Sequence, residues 1–237
     1  MRDIDRRSVP VLSTEQMREV DRVMVEELGI ELVQMMEHAG RHLARLVARE
    51  HGPARTRVAV LAGPGGNGGG ALVAARRLHA WGAQVDLYLS TDQERLADVT
   101  ARHLTTLHRM GIGPAGSNPR GDPDVILDGL VGYSLVGPLR GRAAELAEWA
   151  NGSTAVTVSL DTPSGIDATT GAAEGVAVRA DATLTLALPK AGLLAGAAAD
   201  FVGELYLADI GVPPRVYAAL GISVGPIFAQ GEIVRLV

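Results

Sequence analysis

Two aspartates close apolar runs in this chain. VILDGL sets Asp128 after three aliphatic residues, and TVSLD sets Asp161 just before Thr162, Pro163, Ser164 and Gly165. If those runs are strands of a parallel sheet, both carboxylates emerge at the carboxyl edge, where ligands gather. Proline and glycine fix the turn after Asp161, so its carboxylate is presented on a rigid element. That suits a general acid and base, or a ligand to a hard cation. Each aspartate also reads as a cap or brace of its own loop. Lys190 ends LTLALPK and is the only lysine among 22 basic residues. Loop lysines are commonly solvated, so its position rather than its type draws interest. With no cysteine in the chain, disulfides, thiolate nucleophiles and Cys-bound zinc are excluded, leaving oxygen, imidazole and amine groups for any catalysis.

A third feature is LAGPGGNGGGALVAARRL over residues 61–78, which matches G-x-G-x-x-G at Gly63, Gly65 and Gly68. No G-K-[ST] follows, so the phosphate loop of an NTPase is excluded. A dinucleotide site would carry an acid about 20 residues on. Asp86 instead falls inside an expected strand, and Asp92 opens an expected helix. The glycines also read as a tight strand-to-helix turn. Bare amides at a helix start suit a phosphate or another anion.

The elements that would position these groups alternate. Residues 1–12 read as a flexible N-terminal tail, and STEQ at Ser13 spells a capping box. Helical spacing of Met17, Val20, Val23, Met24 and Leu28, and again over 32–50, gives two N-terminal helices broken at Gly29. Met35 and Met36 read as core fillers, and His38 and His42 as structural or exposed side chains. Strands follow at 57–61, 84–89, 124–130, 155–160, 182–188 and 204–208, with helices at 72–81, 92–110 and about 138–150. The last two strands are expected to run antiparallel at an edge, because little helix separates them. Gly113 to Pro123 reads as a surface connection. The pattern is that of an α/β protein with a mostly parallel sheet, in one domain over residues 13–237.

Charge and hydropathy narrow the partners. A net charge of −5 with scattered basic residues leaves no footprint for nucleic acid. No apolar run reaches the roughly 18 residues needed to cross a bilayer, and no secretory core follows the first arginines. No membrane partner and a cytoplasmic location are the expectations.

The separated segments STEQMREVDRVMVEELGI, LVQMMEHAG, VAVLAGPGGNGGGALVAARRLHAWG, VILDGLVGYSLVGPLRG, VSLDTPSGIDATTG, ADATLTLALPKAGLL and GELYLADIGVP together resemble the YjeF N-terminal domain family, the NAD(P)H-hydrate epimerases. The resemblance spans about residues 11–213. It implies a Rossmann-like three-layer α/β/α sandwich, usually a homodimer, that interconverts the R and S epimers of NADHX and NADPHX. These are reduced nicotinamide nucleotides whose ring has gained water. A separate ADP- or ATP-dependent dehydratase would then restore the cofactor.

The resemblance also assigns roles. Asn67, Asp128 and Ser164 match the potassium-binding positions, and their oxygens are hard donors suited to that ion. Asp161 matches the substrate-contacting aspartate and would act as general acid and then general base, with Lys190 beside it in catalysis. Gly66, Asn67, Gly68, Gly69 and Gly70 match one substrate-binding loop. Gly132, Tyr133, Ser134, Leu135, Val136, Gly137 and Pro138 match the other. The family's glycine loop usually reads G-x-G-N-N-G-G-D-G. Here Gly66 stands for the first asparagine, Gly70 for the aspartate and Ala71 for the last glycine. The loss at position 70 is read as a lost charged contact to the ligand. The alternative function is that of a catalytically altered or noncatalytic member that binds a nucleotide or a protein.

Overall fold

A computed structural model of the chain describes residues 1–116, 119 and 121–237. Its strands are β1 (Arg2–Ile4), β2 (Arg57–Ala62), β3 (Gln84–Leu89), β4 (Val125–Gly129), β5 (Val156–Leu160), β6 (Ala182–Leu186), β7 (Glu204–Ala208) and β8 (Ile233–Leu236). They form one sheet in the order β1-β8-β7-β6-β5-β4-β2-β3. Every neighbouring pair is parallel except β7 with β8. The central strands are apolar and buried along nearly their whole length, as a parallel sheet covered on both faces requires. Seven α-helices accompany them among the described residues: α1 (Thr14–Arg22), α2 (Leu32–His51), α3 (Gly66–Ala80), α4 (Asp98–Arg109), α5 (Gly141–Gly152), α6 (Ala199–Val202) and α7 (Pro214–Ala219). The larger core packs α1 to α4 on one face of the sheet, and a smaller one packs α5 on the other. Among the described residues no helix is long and apolar enough to cross a membrane.

Several expectations change. Residues 1–12 are tied down: β1 lies parallel to β8, and the Leu12 amide donates to Pro189 O at 2.9 Å while Ala191 N–H donates to Leu12 O at 3.0 Å. A short edge strand therefore precedes the helices. The strands at 182–186 and 204–208 pair in parallel, because the small turns and α6 between them suffice for a crossover. The antiparallel edge comes from β8 instead. The helix expected over 92–110 is interrupted, since Ala97 N–H donates to Pro64 O at 2.9 Å and α4 begins only at Asp98. The connection read over Gly113 to Pro123 lies partly outside the described residues.

The glycine run changes most. Its residues from Gly66 onward are the first turns of α3 rather than a loop. Their value is small size, because α2 crosses α3 closely. A Cβ on Gly40 would lie 2.3 Å from Gly70 O, and one on Gly70 would lie 2.7 Å from Leu160 Cδ2. No substitution fits there unless neighbours move. The approach brings α2 and the start of α3 over the carboxyl ends of β2 and β4. There the chain reverses, with β3 outside β2 and β4 on β2's other side, which opens a crevice.

Two outcomes follow. Gly70→Asp, which restores the family spelling, overpacks Leu160 and buries a carboxylate, so it lowers stability by more than the ~1–3 kcal/mol usual for overpacking; a urea titration reads the midpoint. His42 is fully buried, and burial, then the Arg41 charge, push its pKa down to about 4. Between pH ~6.5 and ~4 the unfolded chain binds a proton that the folded one refuses, so stability falls as pH drops through that window, by up to ~3 kcal/mol. His42→Leu flattens that slope in urea titrations at pH 7.5 and 4.5.

Candidate active site

Asp161 directly follows β5 with φ of 67°, a left-handed backbone that costs most residues energy and that aspartate tolerates better than most. The twist turns its side chain into the crevice. One carboxylate oxygen, Oδ1, accepts from Lys190 Nζ, and Oδ2 accepts the Tyr133 amide at 2.9 Å. Lys190 has no solvent exposure at all. Its ammonium also donates to Leu186 O at 3.0 Å and Thr185 Oγ1 at 3.5 Å, and lies 5.8 Å from the Tyr133 ring centroid. Three donors therefore meet three acceptors, which is what a buried cation needs. The strap of Leu12 against Pro189 and Ala191 closes over the backbone on both sides of this lysine.

Gly132 makes the Tyr133 contact possible. A Cβ at position 132 would stand 2.7 Å from Asp161 Oδ2 and 3.2 Å from Asn67 Oδ1, so any side chain would push the loop off both. Tyr133 then spans two carboxylates, because its hydroxyl donates to Asp21 Oδ2 at 2.5 Å. Burial, followed by the Asp21 charge, raises the phenol's pKa well above its ordinary value.

Asp128 sits deeper, without exposure. It accepts from Ser159 Oγ at 2.7 Å, Ser164 N at 2.8 Å, Ser164 Oγ at 2.6 Å and Leu130 N at 3.2 Å. It thereby ties the loop after β4 to the turn after β5. Burial raises its pKa against the pull of these donors, Ser164's foremost. Ser164 Oγ also lies 3.0 Å from Val131 O, yet one hydroxyl proton can serve only one of these two oxygens. Three oxygens share one proton there, and the Asn67 amide oxygen, from the first turn of α3, faces the same β4 loop at Gly132; together they form a donor set that fits a hard monovalent cation.

These elements enclose a cavity of about 440 Å³, within the range of small-molecule sites. Gly66, Asn67, Gly132, Tyr133, Ser134 and Asp161 line it, while Met17, Met35, Met36 and Leu160 form much of its apolar wall. Met35 and Met36 are thus cavity residues as well as core ones. The Asn67 amide nitrogen is buried without a hydrogen-bond partner among the described residues. Gly68, Gly69 and Gly70 do not line the cavity; they are buried under α2 and the glycine turn. Position 70 thus has a packing role between α2, α3 and Leu160. Leu135, Val136, Gly137 and Pro138 also lie away from the lining, and Val136 is 85% exposed. Asp128, Ser164 and Lys190 stand behind it.

Sequence reading missed two contributors. Residues 97–99, at the start of α4, border the cavity because Thr100 Oγ1 donates to Gly65 O at 2.9 Å and holds that helix end against the glycine turn. Asp21 lines the cavity too. Its signal was available, since it interrupts the buried stripe of Met17 and Val20 on α1 and Met24 in the helical turn that continues it, where a carboxylate is out of place unless it has work to do.

The profile of the family described as YjeF-related protein N-terminus matches residues 32–192. The chain is 47% identical over 226 residues to a protein of Dehalogenimonas lykanthroporepellens named NAD(P)H-hydrate epimerase, covering 93% of this chain and 90% of that one. It is 35% identical over 213 residues to a Rhodopirellula baltica protein of the same name, covering 86% of each. A Salinibacter ruber protein named bifunctional NAD(P)H-hydrate repair enzyme Nnr is 38% identical over 226 residues, and there the match spans 87% of this chain but only 42% of the longer relative. The crystal structure of yeast ynu0 superposes with a TM-score of 0.79 at 23% identity, over 96% of this chain and all of that one, and so shares the fold. The chain belongs to the family of YjeF-related protein N-termini.

Proposed function

We propose that this protein interconverts the R and S epimers of NADHX and NADPHX, as an isomerase of nicotinamide nucleotide repair in the cytoplasm. The observation that carries the reading is Asp161: a carboxylate held in a left-handed turn at the cavity floor, paired with a fully buried lysine. The names borne by relatives that match nearly the whole chain point the same way.

The nucleotide's pyrophosphate rests at the start of α3, whose N-cap Gly65 supplies no side-chain cap to the first amides. Those amides and the helix dipole favour an anion. The hydrated ring then lies between the methionine wall and Asp161. Epimerisation needs hydroxide to leave the hydrated carbon, assisted by the ring nitrogen, and water to return on the opposite face. Asp161 gives and takes the proton, for which a positioned group is worth ~10²–10⁴-fold. Lys190 and the Tyr133 amide fix the carboxylate, and the apolar wall limits water around the ring.

Asn67, Asp128 and Ser164 are the residues that would hold potassium. The ion would supply positive charge where oxygens outnumber protons. In this reading the protein acts as a homodimer beside a separate ADP- or ATP-dependent dehydratase that consumes the S epimer.

The test supplies R-NADHX and an S-specific dehydratase to the purified protein, with and without potassium. Faster R-epimer consumption than in the protein-free control is expected, and its absence would sink the epimerase reading. Asp161→Asn folds with unchanged topology and loses epimerisation by ~10²–10⁴-fold, read from the approach of separated epimers to equilibrium. Lys190→Met leaves Asp161 buried and unpaired, and lowers stability by ~3–5 kcal/mol in a urea titration.

A further inference from the structure

Asp161 cannot move far. Both its oxygens are engaged, by Lys190 and by the Tyr133 amide, and the residue is 4% exposed. A carboxylate so held meets one face of a bound ring. An epimerisation at the hydrated carbon uses both faces, since oxygen leaves from one and water arrives at the other.

The cavity contains a second carboxylate. Asp21 comes from α1 and stands at the far end of Tyr133, whose amide serves Asp161 and whose hydroxyl serves Asp21. The length of a tyrosine thus separates the two acids. Inverting glycosidases use a comparable arrangement, in which two carboxyls stand far enough apart for water to enter opposite the leaving group. Among the described residues no second hydrogen bond reaches Asp21, so its other oxygen is free toward the cavity.

We propose that Asp21 is a second proton-transfer group, acting on the face of the hydrated nicotinamide ring that Asp161 does not reach. The proposal rests on the epimerase reading and assigns the two faces to two residues. In one direction the carbon–oxygen bond breaks with its electron pair going to oxygen. The ring nitrogen's lone pair forms a C=N bond, and the departing hydroxide takes the Asp21 proton and leaves as water. A second water attacks the opposite face, the C=N pair returns to nitrogen, and the surplus proton goes to the Asp161 carboxylate. The reverse direction exchanges the roles. No proton is gained or lost, because the two carboxyls re-equilibrate through solvent once the product leaves.

The environments of the two acids support this division. Burial raises the pKa of Asp21; the Tyr133 hydroxyl and then Lys190 lower it, the Asp161 charge raises it, and the balance lies above the ordinary aspartate value. Asp161 instead pairs directly with an ammonium. Two carboxyls in contrasting surroundings are the usual mark of an acid and a base in one site.

The test incubates each separated epimer in ¹⁸O-water with the full chain, as wild type, Asp21→Asn, Asp21→Glu and Tyr133→Phe, and follows inversion and isotope uptake by mass spectrometry. Asp21→Asn loses inversion by ~10²–10⁴-fold. It still loads ¹⁸O into one epimer above the protein-free rate, because departure and return on the Asp161 face need only Asp161. Asp21→Glu restores a carboxyl and recovers part of the inversion. Tyr133→Phe, which keeps the carboxyl, loses less than Asp21→Asn. The proposal fails if Asp21→Asn inverts at the wild-type rate or loses inversion and isotope uptake together. It also fails if Tyr133→Phe reproduces the Asp21→Asn loss, which would leave Asp21 as a prop for the tyrosine. An inactive wild type sinks the epimerase reading itself, whereas an active wild type with an unimpaired Asp21→Asn sinks this proposal alone.

Discussion

A lysine ammonium with no access to water is costly unless its donors are met, and much of this site is arranged around meeting them. Lys190 finds Asp161, Leu186 O and Thr185 Oγ1, which lie at the ends of β5 and β6. Asp161 then recruits the loop after β4 through the Tyr133 amide. The N-terminal segment closes the remaining side through Leu12. One buried pair therefore couples three strand ends and the chain's first residues, and the positive φ of Asp161 is sustained by the contacts on every side of it.

Close backbone approach is the second constraint. Gly40 against Gly70 lets α2 lie on α3, and Gly132 lets the β4 loop reach Asp161 and Asn67. Both are contacts that a single Cβ would break. The substitution of glycine for the family's aspartate at position 70 looks in isolation like a lost ligand contact, but here the position belongs to helix packing. Gly66, also divergent, does line the cavity, so the departures in this turn fall into two physically different classes.

Asp128 illustrates how a candidate ligand can also be structural. Its four protein donors knit the β4 loop to the β5 turn, which holds Asp161 and Gly132 in register. The oxygen cluster around Ser164 gives the same residues the chemistry of a cation site. Bracing and ion binding are compatible, since both draw on oxygens crowded at one strand edge.

The sequence alone determined the α/β alternation and the carboxylates at the ends of β4 and β5. Those follow from local rules: apolar β-branched runs, helical spacing, and turns stiffened by proline and glycine. It also carried the interest of Lys190, though without the reason. Tertiary structure decided the rest. Whether a lone lysine is solvated or buried, whether 182–186 and 204–208 run parallel, and whether the first 12 residues hang loose or pair with β8 each depend on partners far away in the chain. The glycines from 66 to 70 look alike in sequence, and only the approach of α2 separates the one that faces the cavity from those packed beneath it. Asp21 was legible as a carboxylate on an apolar helix stripe. That it meets the far end of Tyr133, 112 residues away, was not, because such a contact is specified by how α1 and the β4 loop pack together and by nothing local to either.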